Sequence, residues 1–439
     1  MSLQLFRPFY ALLWVIGLPV VLVYLWRRGR RDPLYALHLA ERFGRVSPRI
    51  APGALWVHAV SLGELRAASP LIRALLDRGE GVIVTTFTPA GRREGERLFG
   101  AEIAAGRLHL TWQPFDAAFA LRPFLRRLRP RACLMVEIDY WPGMILECGR
   151  AGVPVMPANA QYPAATFARD GARRRWRMQA IGACDAALAK STLHAARFRQ
   201  AGVAWVEVTG EWRFDLPRPE AQIAAGRAAR GWFAPGRGPV VVLASSVAGE
   251  DATYLAAFAA LREALARRGH PLRVVWVPRR PERFDAVAGM AAAAGFTVVR
   301  RSAVLGPEFA PLGPSPGAEV LLGDSLGEMF AYLAMADRAV VGGGFGPAGA
   351  HNIIRPLSLG PPGLTGPATR ANEYPQTEAE AAGVARAVPD AAALAAALAD
   401  PVPAPPGAIA AFLADHAGAT ARTLAALDRI APPPGVRPS

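Results

Sequence analysis

The chain opens on a continuous apolar stretch. From Pro8 to Trp26 (PFYALLWVIGLPVVLVYLW) no residue is charged, and Arg27, Arg28, Arg30 and Arg31 follow at once. In helical form such a run is long enough to cross a bilayer core of about 30 Å. The arginine flank predicts that everything after it stays on the cytoplasmic side. No small-residue cleavage site follows, so residues 1–31 read as an uncleaved transmembrane or membrane-inserted anchor. Gly17 and Pro19 leave room for the alternative, a buried or membrane-surface helix. Residues 33–50 read as a short amphipathic helix and a loop, with Arg42, Arg45 and Arg49 toward headgroups or solvent.

The pattern then changes to short β-branched runs separated by helical periodicity. Trp56–Val60 stops at the corner Ser61-Leu62-Gly63, and a helical pattern follows through Leu65, Ala68, Leu71, Ile72 and Leu75. Further strands are predicted at 81–87, 108–112, 132–136, 153–156, 186–188 and 206–208. An arginine-rich helix is predicted over 169–177. Pro, Gly, Ala and Arg concentrate between 216 and 238, which predicts a linker with one helix inside it. Strands resume at 239–244, 272–277, 297–299, 320–322 and 339–341, with a helix from Met329 to Met335 capped by Asp324 or Ser325. A C-terminal helix covers about 408–427, before a Pro-rich tail read as disordered.

Alternation of strands and helices indicates the α/β class, with doubly wound parallel sheets. A length of 439 residues exceeds one core and 52% hydrophobic residues can fill two. The expected organisation is an anchor at 1–31, a first Rossmann-like domain at 32–215, a linker at 216–238, a second Rossmann-like domain at 239–430 and a tail at 431–439.

Charge narrows the partners. Lys+Arg total 50 against 35 Asp+Glu, a formal charge of +15, and Lys190 is the only lysine. The excess favours an anionic partner such as a nucleotide, phospholipid or phosphorylated glycan. Without an RNP-like motif, zinc finger or basic-aromatic repeat, nucleic acid is not among the expected partners. Cys133, Cys148 and Cys184 have no CxxC spacing and read as buried thiols. No HExxH or comparable ligand cluster occurs, so neither a metal nor another cofactor is expected.

Candidate chemistry gathers where strands end, because ligands of open α/β sheets bind outside the carboxyl ends. Glu64 falls in a first helical turn, where the helix dipole favours an ionised carboxylate. Glu137 and Asp139 follow another strand in Glu137-Ile138-Asp139-Tyr140-Trp141-Pro142. Asn159 ends a third. In the second half, Val277 opens onto Pro278-Arg279-Arg280-Pro281, and Val341 meets Gly342-Gly343-Gly344, a turn able to offer backbone N–H groups to phosphate.

Together these pieces resemble the Kdo (3-deoxy-D-manno-octulosonic acid) transferases, membrane-anchored glycosyltransferases of lipopolysaccharide assembly. The resemblance rests on HAVSLGE at 58–64, VEIDYWP at 136–142, PRRPERF at 278–284, GDSLGE at 323–328 and GGGFGPAGAHN at 342–352, in that order along nearly the whole chain. It implies a GT-B architecture of two domains facing a cleft, CMP-Kdo as donor, a lipid A precursor as acceptor, and a place at the inner-membrane phospholipids. It also implies Glu64 as catalytic base and Glu137 as second active-site carboxylate, with Ser61, Gly63 and Asn159 on the acceptor side. Donor phosphate and cytidine contacts would come from Arg279, Arg280, the glycines Gly342, Gly343 and Gly344, and Asn352. Reaction would be an inverting, metal-independent displacement.

Some positions depart from the family pattern. Arg280 stands where the family has histidine and Arg355 where it has glutamate. The loop Asn159-Ala160-Gln161-Tyr162-Pro163 lacks the usual arginine and serine, and 245–251 lacks a histidine. Three functions therefore fit: Kdo transfer with an adjusted pocket, transfer of a different nucleotide sugar by a paralogue, and non-catalytic binding by a membrane-tethered protein of the same fold.

Overall fold

The computed structural model describes residues 3–46, 51–137, 140–236, 238–347 and 349–433. Two compact units divide it, Met1–Leu216 with His416–Ser439, and Pro217–Asp415. Each is built on one seven-stranded, wholly parallel sheet.

In the first unit the strands are β1 (Leu55–His58), β2 (Val82–Thr86), β3 (Leu108–Trp112), β4 (Cys133–Val136), β5 (Val155–Ala160), β6 (Ala186–Ala189) and β7 (Trp205–Val208), in the order β3-β2-β1-β4-β5-β6-β7. All residues of β1 and β4 are buried, as expected of strands covered by helices on both faces. Period-two alternation divides them between two cores. Leu55 and Val57 pack with Leu65, Leu71 and Leu75 of the helix Leu62–Asp77, while Trp56 packs on the other face with Phe124, Leu128 and Met144. Burying each such side chain contributes about 1.5–3 kcal/mol. Strand order turns around between β1 and β4, whose neighbouring register is Trp56↔Cys133. That switch point is where a crevice opens in doubly wound sheets.

The second unit repeats the plan with β8 (Val240–Ser246), β9 (Arg273–Pro278), β10 (Val298–Arg300), β11 (Val320–Leu322), β12 (Arg338–Val341), β13 (Gly363–Thr365) and β14 (Ala385–Ala387), ordered β10-β11-β9-β8-β12-β13-β14. Its switch point lies between β8 and β12. The strands β13 and β14 went unpredicted, because Gly-Leu-Thr and Ala-Arg-Ala carry little β signal and gain their conformation from pairing with β12 and each other.

Several expectations need correction. Beyond Leu216, the stretch expected as a linker at 216–238 belongs to the second unit: Ile223, Gly226, Ala229 and Phe233 form the buried face of a helix, Glu220–Phe233, and Phe233 shares a core with Tyr332 and Leu333. A Cβ on Gly226 would lie 2.1 Å from the Ala331 carbonyl, so only glycine permits this helix crossing. The C-terminal segment is two helices, Ala408–His416 and Ala419–Ile430, parted by Gly418 at φ +79°. The second returns to the first unit instead of closing the second. Leu424 and Leu427 join the core of Leu55 and Val57, Trp212 Nε1 donates to Thr423 Oγ1 at 2.9 Å, and Asp215 accepts from Gly418 N and Thr420 N.

The helix expected over 169–177 breaks at Arg174 into Ala164–Arg173 and Arg175–Gly182. Asp324 does not cap Met329–Ala334, since its carboxylate accepts from Ser302 N and Oγ, and Ser325 Oγ bonds Glu328 and Tyr332. Arg42 is fully buried and not lipid-facing; its guanidinium lies 4.3 Å from the Trp112 ring centroid, and burial lowers its pKa to about 10. Cys133, Cys148 and Cys184 are buried and unpaired. Arg49, Asp139 and residues 434–439 of the tail lie outside the described residues.

Candidate active site

In the first unit the switch point carries both predicted carboxylates. Glu64 begins the helix after β1, and Glu137 follows β4, the strand beside it. Ser61 caps the helix reciprocally: its Oγ accepts from Glu64 N at 3.4 Å, while Glu64 Oε2 accepts from Val60 N at 2.6 Å and Ser61 N at 3.4 Å. Ser61 Oγ also donates to Glu64 Oε1 at 3.2 Å. This capping box fixes the carboxylate at the positive end of the helix dipole. Gly63 is exposed on the same turn, and a Cβ there would meet nothing nearer than Ser61 Oγ at 3.9 Å, so packing does not demand a glycine. His58 ends β1 fully buried against Thr85 Oγ1 at 2.8 Å; burial drops its pKa to about 3 and keeps it neutral.

Glu137 has different surroundings. Its φ of 64° turns the chain sharply after β4, and its Oε1 lies 3.3 Å from Lys190 Nζ and 2.6 Å from Arg213 Nη1. Both cations also reach Glu211 Oε2, at 2.7 and 3.1 Å. Asn159, at φ 50° on β5, donates its Nδ2 to Glu211 Oε1 at 2.9 Å and accepts from Trp212 N. The sheet thus brings together the exits of β4, β5, β6 and β7 as two carboxylates, two cations and an amide. Burial pushes both carboxyls up, but Lys190 and Arg213 outweigh it, so Glu137 lies below its ordinary value and Glu211 falls to about 2.

The second unit places its predicted residues after β9 and β12, the two strands that flank β8. Arg279 and Arg280 follow β9, and among the described residues neither pairs with a carboxylate. Arg279 Nη1 lies 2.5 and 2.9 Å from the two ring nitrogens of His351. Burial, then the adjacent guanidinium, lowers the His351 pKa to about 4, so the ring is neutral beside the cation.

The glycine turn does not present the open cradle expected of it. Gly343 N donates to both oxygens of Glu250 at 2.9 Å, and Val247 N adds a third bond to that carboxylate. The glycines also serve close approach: a Cβ on Gly342 would sit 2.5 Å from the Ser245 carbonyl, and one on Gly344 would sit 2.4 Å from Gly366 N. Asn352 Oδ1 accepts from Ile354 N at 2.7 Å. Arg355 lies over the Phe330 ring, 5.7 Å from its centroid.

A family model described as 3-Deoxy-D-manno-octulosonic-acid transferase (kdotransferase) matches residues 37–216. A 3-deoxy-D-manno-octulosonic acid transferase of Bordetella pertussis is 43% identical over 421 residues, covering 93% of this chain and 96% of that one. The chain belongs to the Kdo transferase family. It is accordingly a glycosyltransferase. A second such transferase, from Haemophilus influenzae, is 29% identical and covers 82% of each chain. A glycosyltransferase structure from Rickettsia africae superposes with a TM-score of 0.56 at 10% identity, over 87% of this chain and 99% of that one, a likeness of fold.

In this Kdo transferase family member, sequence reasoning missed Lys190, Glu211, Arg213 and Glu250. Lys190 did carry a signal: in a chain where every other basic side chain is arginine, one lysine remains. Glu211 and Arg213 had none, since their partners arrive from strands far apart in sequence.

Proposed function

We propose that the chain transfers Kdo from CMP-Kdo to a lipid A precursor in lipopolysaccharide biosynthesis, at the cytoplasmic side of the inner membrane. The observation that carries this reading is Glu64, tethered by a capping box at the carboxyl edge of β1, with Glu137 following the neighbouring strand β4. Glu64 takes the proton of the acceptor hydroxyl as its oxygen attacks the anomeric carbon. The bond from that carbon to the CMP phosphate breaks, and the electron pair leaves with the phosphate. One displacement inverts the anomeric centre. General-base assistance of this kind contributes roughly 10²–10⁴ in rate.

Arg279 and Arg280, free of carboxylate partners among the described residues, supply the charge that stabilises the leaving phosphate in place of a metal. A preorganised donor of this sort contributes about 10²–10³. Glu137 acts on the site as a fixed charge within its ion-paired network. Ser61 and Gly63 line the acceptor side by their position on the Glu64 turn, and Asn159 supports that side through Glu211.

Purified protein in detergent, supplied with a tetraacylated lipid A precursor and CMP-Kdo generated in situ, tests this directly. Product is expected to form, to persist with EDTA, to show an inverted anomer by NMR, and to be lost in Glu64→Ala. Failure of the folded protein to form product overturns the reading. Arg280 and Arg355, which replace a histidine and a glutamate of the family pattern, favour a second reading in which a paralogue uses a more anionic nucleotide sugar. Turnover of another nucleotide sugar, but not CMP-Kdo, would select it.

A further inference from the structure

The N-terminal helix Leu3–Gly29 has the length and apolarity of a membrane span. It is nevertheless docked side-on along the first unit. The inward residues Phe6, Tyr10, Trp14, Leu18, Val21 and Leu25 recur at three- and four-residue steps, which is one continuous helix face. The Phe6 ring stacks on Trp176 at 3.8 Å, Tyr10 OH donates to the buried Asp116 Oδ2 at 2.8 Å, and Trp14 meets Phe115 at 5.5 Å. Leu25 is buried with Phe115 and Ala120. From Phe6 to Leu25 the axis runs about 28 Å at 1.5 Å per residue. Folded protein therefore accompanies the helix over nearly the full hydrocarbon thickness of about 30 Å.

A spanning helix in this arrangement would carry the ionic groups beside it, Arg122, Glu147 and Arg150 among them, into the acyl region, where such groups are strongly disfavoured. Charge at the two ends argues the same way. Arg27, Arg28, Arg30 and Arg31 follow one end, and the exposed Arg173, Arg174 and Arg175 sit next to Trp176 at the other. A span sorts its cations to one side; this helix has them at both.

We infer that the helix lies in the plane of the membrane interface. Its outward face, including Phe9, Leu13, Ile16, Val20 and Val23, all more than half exposed, enters the acyl boundary of an anionic bilayer. Both arginine clusters then stand at headgroup level, where each cation adds to the attraction. A second copy of the chain is a poorer occupant, because pairing these faces would bring like-charged clusters together. This inference rests on the membrane-bound reading proposed above and specifies its geometry.

Two thiol measurements on the full chain in native membranes test it, the three native cysteines being buried. The double variant Phe6→Cys with Trp176→Cys is expected to cross-link with a short bis-maleimide. Gln4→Cys is expected to react with a membrane-impermeant maleimide from the same side as Arg174→Cys. Labelling of Gln4→Cys only from the opposite side, without the cross-link, overturns the in-plane geometry and establishes a span. Flotation with phosphatidylethanolamine and phosphatidylglycerol vesicles separates the two failures. Protein that neither floats nor enters membranes, and is a dimer in solution, overturns the membrane reading itself.

Discussion

Replacing Lys190 by methionine tests the charge balance beneath the candidate active site. Lys190 is 3% exposed and touches Glu137 and Glu211. Its removal leaves two carboxylates facing Arg213 alone, a net negative charge in a buried setting. Breaking a buried ion pair from one side costs about 3–5 kcal/mol. At about 2–4 °C per kcal/mol for a unit of this size, the melting transition of the first unit should fall by about 6–20 °C. Lys190→Arg keeps the charge but adds bulk and a planar head in a closed space, and should still lose about 1–3 kcal/mol.

The pH dependence supplies the sign. Glu211 lies at about 2 when folded against an ordinary 4.5, so its contribution to stability is complete above pH 4.5 and is lost as pH falls toward 2. The gap between wild type and Lys190→Met, followed by circular dichroism, should be widest near neutrality and narrow below pH 4.5. A variant that melts with the wild type at pH 7 would refute the account of Lys190 as the counterion of a desolvated pair.

Other outcomes rest on single contacts. His351, lowered to about 4 by burial and then by Arg279, contributes stability that is full above pH 6.5 and lost as pH falls toward 4; Arg279→Gln should raise its NMR titration midpoint while leaving it below 6.5, because burial remains. Gly342→Ala must displace the Ser245 carbonyl and should cost about 1–3 kcal/mol, read as a lower transition midpoint for the second unit. Ending the chain at Asp415 should expose the core face served by Leu424 and Leu427 and destabilise the first unit, leaving the melting of Pro217–Asp415 unchanged.

Much of the fold was legible because most strands are short, buried, β-branched runs whose signal is local: Val82–Thr86 and Val240–Ser246 stand out before any contact is known. The candidate carboxylates were legible for a related reason, since each strand end is marked by the corner after it, Ser-Leu-Gly beyond β1 and Trp-Pro beyond the β4 exit. The return of Ala419–Ile430 to the first unit was not. Its amphipathic face fits either core, and the choice is made by Trp212, Asp215 and Thr423, contacts that span some two hundred residues. The filling of the glycine turn by Glu250 escaped notice in the same way, because Glu250 lies 93 residues from Gly343.

The two carboxylates at the first switch point show how one sheet edge gives different surroundings to the same side chain. Glu64 accepts from the amides of Val60 and Ser61 and from the Ser61 hydroxyl, and that hydroxyl can rotate away when an acceptor arrives. Glu137 is held by two cations it shares with Glu211, which lowers its affinity for protons. Under the proposed function, Glu64 takes the proton released by the acceptor, and Glu137, held below its ordinary value by its cations, keeps its charge. On that argument Glu137→Gln should weaken the network and lower stability, and Glu64→Gln should leave the fold nearly intact and remove transfer. Equal loss of stability in both variants, with transfer surviving in Glu64→Gln, would reverse the assignment.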